Sequence, residues 1–532
     1  MRKEFLVIAN LGLAVLIVFA IYFPRAEWFL AIYSLFYAMG FYDYFQKRHT
    51  IRRNFPLFGR LRYLLESLRP ELNQYFIESD TDGRPFNREE RSIVYARSKN
   101  ELDTTPFGTI IDVYAPGYEW VSHSILPKHV KPQVLRSAIG SVQCLKPYSA
   151  SILNVSAMSY GSLGKNAVQA INEGARLGNF AQNTGEGGLS PYHLERGGDI
   201  IWQLGTAYFG ARDKEGRFNA KMFEPKARLD VVKMIEIKIS QGAKPGHGGI
   251  LPAEKVNQEI ADIRGVEVGK DVISPPGHNA FSTPYELLLF VQELRELSGG
   301  KPIGIKLCIG KRHEFLAICK AIEKYAILPD YFVIDGGEGG TGAAPLEFSN
   351  HVGAPGTESL IFAHNALVGF GIRQELSLIS GGRIVTAFDA IKRLALGADH
   401  VNMARAMMFA LGCIQARRCN SNRCPTGVTT NDRYLEAGLD PADKSVRVHN
   451  FHRATLEAMA AILGAMALEH PEELRPWHVA RRISPSETKN YSEIFEYIED
   501  GCLLSHKPTP KSFVKALERA SADSFLAQSL GE

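Results

Sequence analysis

The residues with the most specific chemistry in this sequence are three cysteines that lie close together towards the C-terminus. Cys413, Cys419 and Cys424 are separated by five and four residues, and Pro425 follows the last of them. This spacing differs from the C-x2-C pairs typical of zinc and redox sites. Thiolates are preferred ligands of iron–sulfur clusters, and a proline after the last cysteine occurs in ferredoxin-type sites. Three neighbouring cysteines without a fourth therefore predict a three-iron [3Fe-4S] cluster. The alternative is a chance group of buried thiols.

A glycine-rich tract at residues 337–342 has the form G-x-G-x-x-G and follows an apolar stretch. In a dinucleotide site such glycines should open a helix on which the pyrophosphate rests. Pro345 disfavours a continuous helix running out of these glycines. We therefore expect backbone that approaches a ligand closely, and not a nicotinamide site.

Two further tracts have residue types suited to a phosphate group. Gly381 and Gly382 precede Arg383 at the end of one apolar stretch, and Ala404 and Arg405 end the next. Glycine N–H groups and a guanidinium both suit a phosphate dianion. Barrels often bind a phosphate with the loops after strands seven and eight. The alternative is a tight structural turn with a surface arginine.

Three isolated charged residues lie in apolar or glycine-rich surroundings. Lys306 sits inside an apolar stretch, where a lysine usually pairs with a buried carboxylate but can also reach a central ligand. A cation near the pyrimidine edge of a flavin stabilises the anionic reduced ring. Glu186 and Lys244 lie in glycine-rich loops, where a charge is most often solvated. If both loops face one site, Glu186 can handle protons and Lys244 can bind a carboxylate.

The elements that must position these residues are short apolar stretches that alternate with helix-like segments from about residue 151. Eight such stretches predict a parallel α/β fold, and specifically a closed (β/α)8 TIM barrel. Nearly all the unusual tracts follow one of these stretches, at the end of a barrel strand where catalytic residues are found. The candidate strands are residues 152–156, 180–183, 234–238, 271–274, 303–307, 331–334, 376–379 and 400–403.

Composition limits the classes of protein to which the chain can belong. Hydrophobic residues make up 45% and charged residues 22%, as in a globular chain with a large core. The net charge of +4 is small, so we expect no nucleic-acid partner. Seven cysteines without a regular framework argue against a disulfide-stapled secreted protein and favour a reducing compartment.

Two apolar stretches lie near the N-terminus. The first, residues 5–23, is nearly long enough to span a hydrocarbon core as a helix, and Asn10 is its only clearly polar residue. A break at residues 24–27 leads to a shorter, aromatic-rich stretch at residues 28–42. Arg2 and Lys3 precede the first stretch and several arginines follow the second. By the positive-inside rule both flanks face the cytoplasm.

This pattern predicts a transmembrane helical hairpin that contacts the membrane through residues 5–45. We expect the chain in the inner (cytoplasmic) membrane, with its catalytic domain facing the cytoplasm. One alternative is a secretory signal peptide, although no small-x-small cleavage site follows the first stretch. The other is a buried helical hairpin of a soluble domain.

The predicted organisation has four parts. Residues 1–46 form the transmembrane helical hairpin, and residues 47–149 form a linker and cap region. Residues 150–432 form the barrel together with the cysteine loop. Residues 433–532 form a helical C-terminal extension.

Several tracts together resemble the synthase domain of glutamate synthase, in its large subunit. The resemblance covers roughly residues 150–430, and ordered motifs over that span are more specific than any one alone. The chain is similar to FMN-binding glutamate synthase family proteins with an N-terminal membrane anchor. The matching tracts are residues 156–162 (SAMSYGS), 183–188 (NTGEGG), 241–246 (QGAKPG), 273–276 (ISPP), 339–343 (GGTGA) and 424–428 (CPTGV).

The resemblance implies an FMN-binding type of barrel and a reaction. Electrons would pass from the [3Fe-4S] cluster to FMN, and a hydride would reach C2 of an imino acid, so that 2-oxoglutarate and ammonia give glutamate. Glu186 and Lys244 would be catalytic and face the 2-oxo acid, and Cys413, Cys419 and Cys424 would hold the cluster. The electron donor would be ferredoxin or a separate reductase subunit. The implied FMN-binding residues are Ala157, Met158, Ser159, Lys306, Gly339, Gly340, Gly381, Gly382, Ala404 and Arg405.

The sequence also departs from the family pattern. The apolar hairpin stands where the family has a glutaminase domain, so we expect no internal ammonia source. The family's terminal β-helix domain has no counterpart after the cysteines. The family's Lys-Pro-Gly-Glu reads Lys-Pro-Gly-His here, with His247 as its last residue. Two other functions therefore stay open: a membrane-bound flavin and iron–sulfur electron relay, and an amino-acid-conjugating synthase on the same barrel.

Overall fold

The structure is a computed structural model that describes residues 2–23, 27–504 and 508–528. The chain divides into two compact units, Met1–Pro85 and Phe86–Glu532. Of the break predicted at residues 24–27, residues 24–26 lie outside the described residues and Glu27 begins a helix.

The first unit is helical. Its helices are α1 (Arg2–Tyr22), α2 (Glu27–Phe45), α3 (Thr50–Asn54) and α4 (Phe58–Leu72), and a π-helical turn, Asn73–Ile77, follows α4.

Helices α1 and α2, which are mostly apolar, are joined by hydrogen bonds. The Tyr37 hydroxyl donates to the Asn10 side chain at 2.9 Å, and the Tyr33 hydroxyl donates to the Ala9 carbonyl at 3.0 Å. Among the described residues one helix, α1, is long and apolar enough to cross a membrane, judged by length and composition alone. Helix α2 does not meet that measure, so membrane insertion of both helices remains a prediction.

The described residues of the second unit, 86–504 and 508–528, form fifteen strands. They are β1 (Glu119–Val121), β2 (Arg136–Ile139), β3 (Tyr148–Ser151), β4 (Leu153–Val155), β5 (Ala181–Asn183), β6 (Asp199–Leu204), β7 (Val232–Lys238), β8 (Ile250–Leu251), β9 (Val272–Ile273), β10 (Ile303–Leu307), β11 (Tyr331–Asp335), β12 (Ser377–Gly381), β13 (His400–Met403), β14 (Val479–Ser484) and β15 (Glu487–Asn490).

Eight of these strands close a parallel barrel in the order β4, β5, β6, β7, β10, β11, β12 and β13. All eight neighbouring pairs are parallel, and β13 returns to pair with β4. The predicted (β/α)8 barrel is therefore confirmed.

One predicted barrel strand is wrong and another was missed. Residues 271–274 contain β9, which pairs antiparallel with β8 outside the barrel, and its Ile273 is 67% exposed. The third barrel strand is β6, whose apolar run is interrupted by the buried Gln203. Polar side chains such as Gln203 and Glu236 therefore lie buried in the barrel strands.

Helices of the second unit surround the barrel or extend from it. They are α5 (Arg88–Lys99), α6 (Lys165–Gly178), α7 (Pro191–Leu194), α8 (Ala220–Ala227), α9 (Gln258–Arg264), α10 (Pro284–Leu297), α11 (Arg312–Tyr325), α12 (Leu346–His351), α13 (Gly356–Gly369), α14 (Ala387–Ala395), α15 (Arg405–Ala410), α16 (Arg433–Glu436), α17 (Pro441–Ala465), α18 (Tyr491–Ile494) and α19 (Lys511–Arg519). No helix runs out of the glycines at residues 337–342, as Pro345 predicts.

A β-hairpin closes the end of the barrel at which the strands begin. Strands β2 and β3 pair antiparallel, and their side chains Ile139, Tyr148 and Ala150 pack into one apolar cluster with barrel residues such as Met234. The Tyr148 hydroxyl donates to Asp199, the first residue of β6, at 2.8 Å. The end of the barrel where the strands finish is therefore the one available for a ligand site, as is usual in this fold.

The C-terminal part contains helices, as predicted, and also a short β-hairpin that the prediction did not include. Helix α17 packs against α6 and α5, but β14 and β15 form an antiparallel hairpin that pairs with β1. Strands β14 and β15 gave no strong strand signal, because most of their residues are partly or fully exposed and β15 is entirely polar.

Candidate active site

Lys306 and Asp335 lie side by side at the open end of the barrel. Lys306 is near the end of β10 and Asp335 ends β11, and the Lys306 Nζ lies 3.7 Å from Asp335 Oδ2. The backbone N–H of Gly242 also donates to this carboxylate, at 3.0 Å. Lys306 thus has the carboxylate partner of the first alternative, and its contact with a bound ligand stays a prediction.

Glu236, on β7, is a buried carboxylate that sequence reasoning missed. It is 1% exposed and accepts hydrogen bonds from Asn183 at 3.0 Å and from Gln203 at 2.5 Å. Burial raises its pKa, although Lys306 opposes that effect. Its second oxygen, Oε2, has no hydrogen-bond partner among the residues that the structure describes. An unpartnered buried polar atom at this position is suited to a bound ligand or water.

Glu186 lies in the short 3-10 turn Gly185–Gly187 after β5, surrounded by three cations. Its carboxylate is 3.0 Å from the Lys238 Nζ. Burial alone would raise the pKa of Glu186, but Lys238, Lys244 and Arg264 together hold it below its ordinary value. Glu186 is therefore ionised near neutral pH. The surplus of cations leaves the site with a net positive charge that suits an anionic ligand.

Lys244 connects the loop after β7 to the glycine tract after β11. It is 3% exposed, and its Nζ donates to the Ala343 carbonyl at 2.8 Å. Burial lowers the pKa of Lys244 to about 8, assisted by Lys238 and opposed by Glu186. The structure thus brings Glu186 and Lys244 to one site, the arrangement that the sequence prediction required for both to have a role.

Two of the cations around Glu186 were missed by sequence reasoning. Lys238 ends β7, in a stretch that was predicted only as a strand. Arg264 ends α9, donates to the Tyr160 carbonyl at 2.8 Å and stacks over Phe209 at 5.1 Å. Burial lowers the pKa of Arg264 to about 10, so the guanidinium stays charged. The only signal for Lys238 was its place at the end of a strand.

A neutral histidine supports the Lys238 backbone. His278 Nε2 lies 2.8 Å from the Lys238 carbonyl, and Nδ1 lies 2.8 Å from the Tyr208 hydroxyl. Since a carbonyl only accepts, Nε2 carries the proton and Nδ1 accepts from Tyr208. Burial lowers the pKa of His278 to about 4, which keeps the ring neutral. This pair fixes the end of β7 from which Lys238 extends.

The loops after β11 and β13 meet at Arg405. Its guanidinium donates to the Glu338 carbonyl at 2.8 Å and stacks on Phe86 at 4.6 Å. A Cβ added at Gly340 would lie 2.7 Å from the Arg405 Nε, so any larger residue at this position would displace the side chain. Burial lowers the pKa of Arg405 to about 10, and the residue remains a cation.

The Glu338 carboxylate fixes the glycine tract that includes Gly339 and Gly340. It accepts from the Gly356 N–H at 2.8 Å, at the start of α13, and pairs with Arg393 at 2.9 Å.

The glycines after β12 lie beside the same tract. A Cβ at Gly382, whose φ is +97°, would lie 3.1 Å from the Gly336 nitrogen, and one at Gly381 would lie 3.1 Å from Asp335. Arg383 points away to form an ion pair with Glu90 at 3.0 Å. Ala404 links β13 to α15. Gly381, Gly382, Ala404 and Arg405 therefore border one side of the barrel mouth.

The loop after β4, with Ala157, Met158 and Ser159, borders the other side. It lies directly against Gly185, where an added Cβ would be 2.6 Å from the Ser159 nitrogen. Gly185 also has a φ of +61°, which favours glycine. This close approach places the β4 loop next to Glu186.

The three cysteines lie in an irregular loop between α15 and α16. Their charges act on one another, and burial raises the pKa of Cys413 to about 12. Burial alone would raise the pKa of Cys424, but hydrogen bonds with Thr426 and Thr429 hold it below its ordinary value. Within residues 2–23, 27–504 and 508–528, no three histidine, cysteine, aspartate or glutamate side chains converge on a metal-binding position.

A cavity of about 730 Å³ opens beside this loop, and three arginines dominate the charge of its lining. The lining residues are Pro252, Ala253, Glu254, Asp271, Arg417, Arg418, Asn420, Ser421 and Arg423.

Comparison with known proteins identifies the family. The profile described as the conserved region in glutamate synthase matches residues 127–469. The glutamate synthase large subunit-like protein YerD of Bacillus subtilis is 38% identical over 82% of this chain and 90% of its own length. An archaeal-type glutamate synthase [NADPH] of Thermotoga neapolitana is 36% identical over 60% of each chain.

Among solved structures, a mandelate oxidase with (S)-2-phenylpropionate has a TM-score of 0.41 and 16% identity, over 75% of this chain and 98% of that one. The profile match covers more than half of the chain, and YerD is aligned over nearly its whole length. This chain therefore belongs to the glutamate synthase family.

Proposed function

We propose that this glutamate-synthase-like oxidoreductase converts a 2-oxo acid, with ammonia, into an amino acid at the barrel mouth, and that 2-oxoglutarate is the 2-oxo acid. The observation that carries the proposal is the cluster of Lys238, Lys244 and Arg264 around Glu186. Three buried cations with one carboxylate leave two positive charges uncompensated. A dicarboxylate such as 2-oxoglutarate supplies two negative charges and would neutralise the cluster.

FMN is the proposed cofactor, and when bound it supplies the hydride that reduces the imino acid at C2. The residues proposed to hold it are Ala157, Met158, Ser159, Lys306, Gly339, Gly340, Gly381, Gly382, Ala404 and Arg405.

Three observations at the barrel mouth support this proposal. Glu236 Oε2 is a buried polar atom without a partner among the described residues. A Cβ at Gly340 would lie against the guanidinium of Arg405, so glycine at this position lets that group keep its place. A guanidinium is a suitable partner for the FMN phosphate. Lys306 is a buried cation at the barrel mouth, where it would favour an anionic reduced ring.

Glu186 and Lys244 are the proposed catalytic residues. Ionised Glu186 accepts hydrogen bonds, so it would orient the N–H groups of an iminium nitrogen and exchange protons there. Lys244, with a pKa of about 8, would bind a substrate carboxylate as a cation near neutral pH. Arg264 and Lys238 would hold the rest of the anionic substrate.

A [3Fe-4S] cluster on Cys413, Cys419 and Cys424 is the proposed electron entry, and when bound it supplies single electrons. The donor set fits chemically, because three thiols lie in one loop and influence one another's charge. The lowered pKa of Cys424 favours the thiolate form that ligates iron. The proposed electron donor is ferredoxin or a separate reductase subunit.

We also propose attachment to the inner (cytoplasmic) membrane through residues 5–45, with the barrel in the cytoplasm. The support is α1, whose length and apolar composition suffice to cross a bilayer. The same helix favours a second function, an electron relay between a membrane donor and the flavin, since a biosynthetic reaction alone needs no anchor.

The test is anaerobic purification of the full chain in detergent, with flavin and iron quantified. We expect FMN and iron, a flavin absorbance change on addition of 2-oxoglutarate, and glutamate formation with ammonia and reduced viologen. The Lys244→Met variant should lose the 2-oxoglutarate-induced change. Lys320→Met, which removes a lysine that donates to the Leu517 and Ala520 carbonyls outside the barrel, should retain it. A flavin that is reduced by the donor but never responds to a 2-oxo acid would favour the electron relay.

A further inference from the structure

Lys255 is a buried lysine that lies between the cysteine loop and the loop after β4. It ends the 3-10 turn Ala253–Lys255 and is 2% exposed. Its Nζ donates to the Ser162 carbonyl at 3.0 Å and to the Thr429 carbonyl at 2.8 Å. Ser162 follows the tract proposed to line FMN, and Thr429 follows Cys424 and Pro425 in the chain. One ammonium group thus joins the two loops.

No carboxylate lies within ion-pair distance of Lys255 in the part of the chain that the structure describes. Burial lowers the pKa of Lys255 to about 8, assisted by Arg264, and the thiols of Cys419 and Cys424 oppose that effect. A buried cation without an anionic partner is costly, and such charges in proteins are normally paired or neutralised. Thiolates, or an anionic cluster that they ligate, would supply the missing partner.

Two further hydrogen bonds connect the same segments. The Asn431 side-chain amide donates to the Gly161 carbonyl at 3.0 Å and to the Lys255 carbonyl at 3.1 Å. The Asn422 amide, inside the cysteine loop, donates to the Glu254 carbonyl at 3.0 Å. The turn at Ala253–Lys255 is therefore a shared support for both loops, and Lys255 is its charged member.

We propose that Lys255 is a positioning residue that holds the cysteine loop against the β4 loop and acts as the counter-ion of the thiolate-ligated cluster. This inference rests on the proposed function, because it requires that the three cysteines bind a cluster. A nearby positive charge stabilises the more negative, reduced state of a cluster and so raises its reduction potential. Removing the charge should lower that potential and loosen the loop.

The experiment compares three variants of the full-length protein, purified anaerobically in detergent. Lys255→Met removes the charge with little change in volume, and Lys255→Arg keeps it. Lys301→Met is the matched control: Lys301 is 7% exposed and donates to the Ala227 and Leu229 carbonyls, both at 2.7 Å, near the closed end of the barrel. Iron and flavin content are measured, and the cluster's midpoint potential is determined by a redox titration followed by electron paramagnetic resonance.

We expect Lys255→Met to shift the cluster potential to more negative values, or to lose iron while keeping its flavin. Lys255→Arg and Lys301→Met should both keep the wild-type iron content and potential. The inference is overturned if Lys255→Met matches the wild type, if Lys255→Arg shifts as far as Lys255→Met, or if Lys301→Met loses iron equally. A wild-type protein without iron would instead overturn the proposed cluster itself, which separates the two failures.

Discussion

The carboxylate of Glu186 lies 3.0 Å from the ammonium of Lys238, and the two residues come from different barrel strands. Glu186 follows β5 and Lys238 ends β7. The loops of separate strands thus bring opposite charges together at the open end of the barrel, as expected for a site built on this fold. The pair is also surrounded by Lys244 and Arg264, so Glu186 is the central anion of the site.

Replacing Glu186 by glutamine removes that anion with almost no change in shape. We expect turnover of the 2-oxo acid to fall by about 10²-fold or more, because the variant can no longer exchange protons at the substrate nitrogen. Breaking a buried ion pair also costs about 3–5 kcal/mol of stability. The measurements are steady-state rates with a reduced viologen and the thermal unfolding midpoint.

The control for this substitution is Glu119→Gln. Glu119, on β1, forms an ion pair of similar burial with Lys392 at 2.6 Å, outside the barrel mouth. It should lower stability without a comparable loss of turnover. Equal loss of activity in both variants would mean that Glu186 acts through stability alone.

The buried Lys244 predicts a pH limit for substrate binding. Its pKa is lowered from an ordinary 10.5 to about 8, mainly by burial. Lys244 is therefore protonated and able to bind a carboxylate below pH 8, and it loses that charge as the pH rises through 8. Affinity for 2-oxoglutarate, measured from the flavin absorbance change without ammonia, should weaken by up to about tenfold per pH unit above this value.

Three variants test whether Lys244 is the group that sets this pH limit. Lys244→Met should bind weakly at every pH, and Lys244→Arg should extend tight binding above pH 8, since arginine stays protonated. Lys320→Met should keep the wild-type profile. A wild-type profile in Lys244→Arg would assign the limit to another group.

Gly340 allows a test of the phosphate end of the site. An added Cβ would lie 2.7 Å from Arg405 Nε, and this side chain can move away because it is flexible. Gly340→Ala should therefore leave the fold intact but displace the guanidinium, and FMN binding should weaken by about tenfold, or ~1.4 kcal/mol. Flavin content and the dissociation constant of FMN measure this effect.

Gly342, in the same tract, is the matched control, because a Cβ added there would have no other atom within 4 Å. Gly342→Ala should bind FMN as the wild type does. Equal weakening in both variants would point to a general loss of backbone freedom in the tract, with no special role for Arg405.

The barrel could be predicted from the sequence because most of its strands are short apolar runs followed by glycine-rich loops. Strand β6 was missed although it is as apolar as the predicted strands, and its Gln203 donates to Glu236. Residues 271–274 were wrongly predicted as a barrel strand because they contain two neighbouring apolar residues. Val272 is buried but Ile273 is exposed, so this short strand has only one buried face.

The site was predictable where glycines mark a loop, and less so where a single charge lies at the end of a regular element. Glu186 and Lys244 stand among glycines and were identified from that context. Lys238 and Arg264 end a strand and a helix, and their roles depend on how distant loops meet in space. Only the three-dimensional structure shows that both act on Glu186.

The length and apolar composition of helix α1 lead us to expect that it attaches the protein to a membrane. Val15 and Val18 are 59% and 54% exposed, and lysine at both positions should cost about 2.5–3.5 kcal/mol each on insertion into a bilayer. The double variant Val15→Lys, Val18→Lys should shift from the alkaline-resistant membrane fraction to the soluble fraction. Leu102→Lys, at an 84% exposed position of the second unit, should stay with the membrane. Retention of the double variant in the membrane would contradict the role of α1.

The proposed cluster requires that the thiols of the cysteine loop, and not the other buried thiols, bind iron. Cys424 has a lowered pKa and lies in the tract with the family motif, so Cys424→Ser should lose most of the iron while FMN stays bound. Cys319 is fully buried on α11, where burial raises its pKa, and Cys319→Ser is the control for loss of a buried thiol. That control should destabilise the core but keep the wild-type ratio of iron to flavin. If Cys424→Ser also keeps that ratio, the thiols are structural and electrons must reach the flavin by another route.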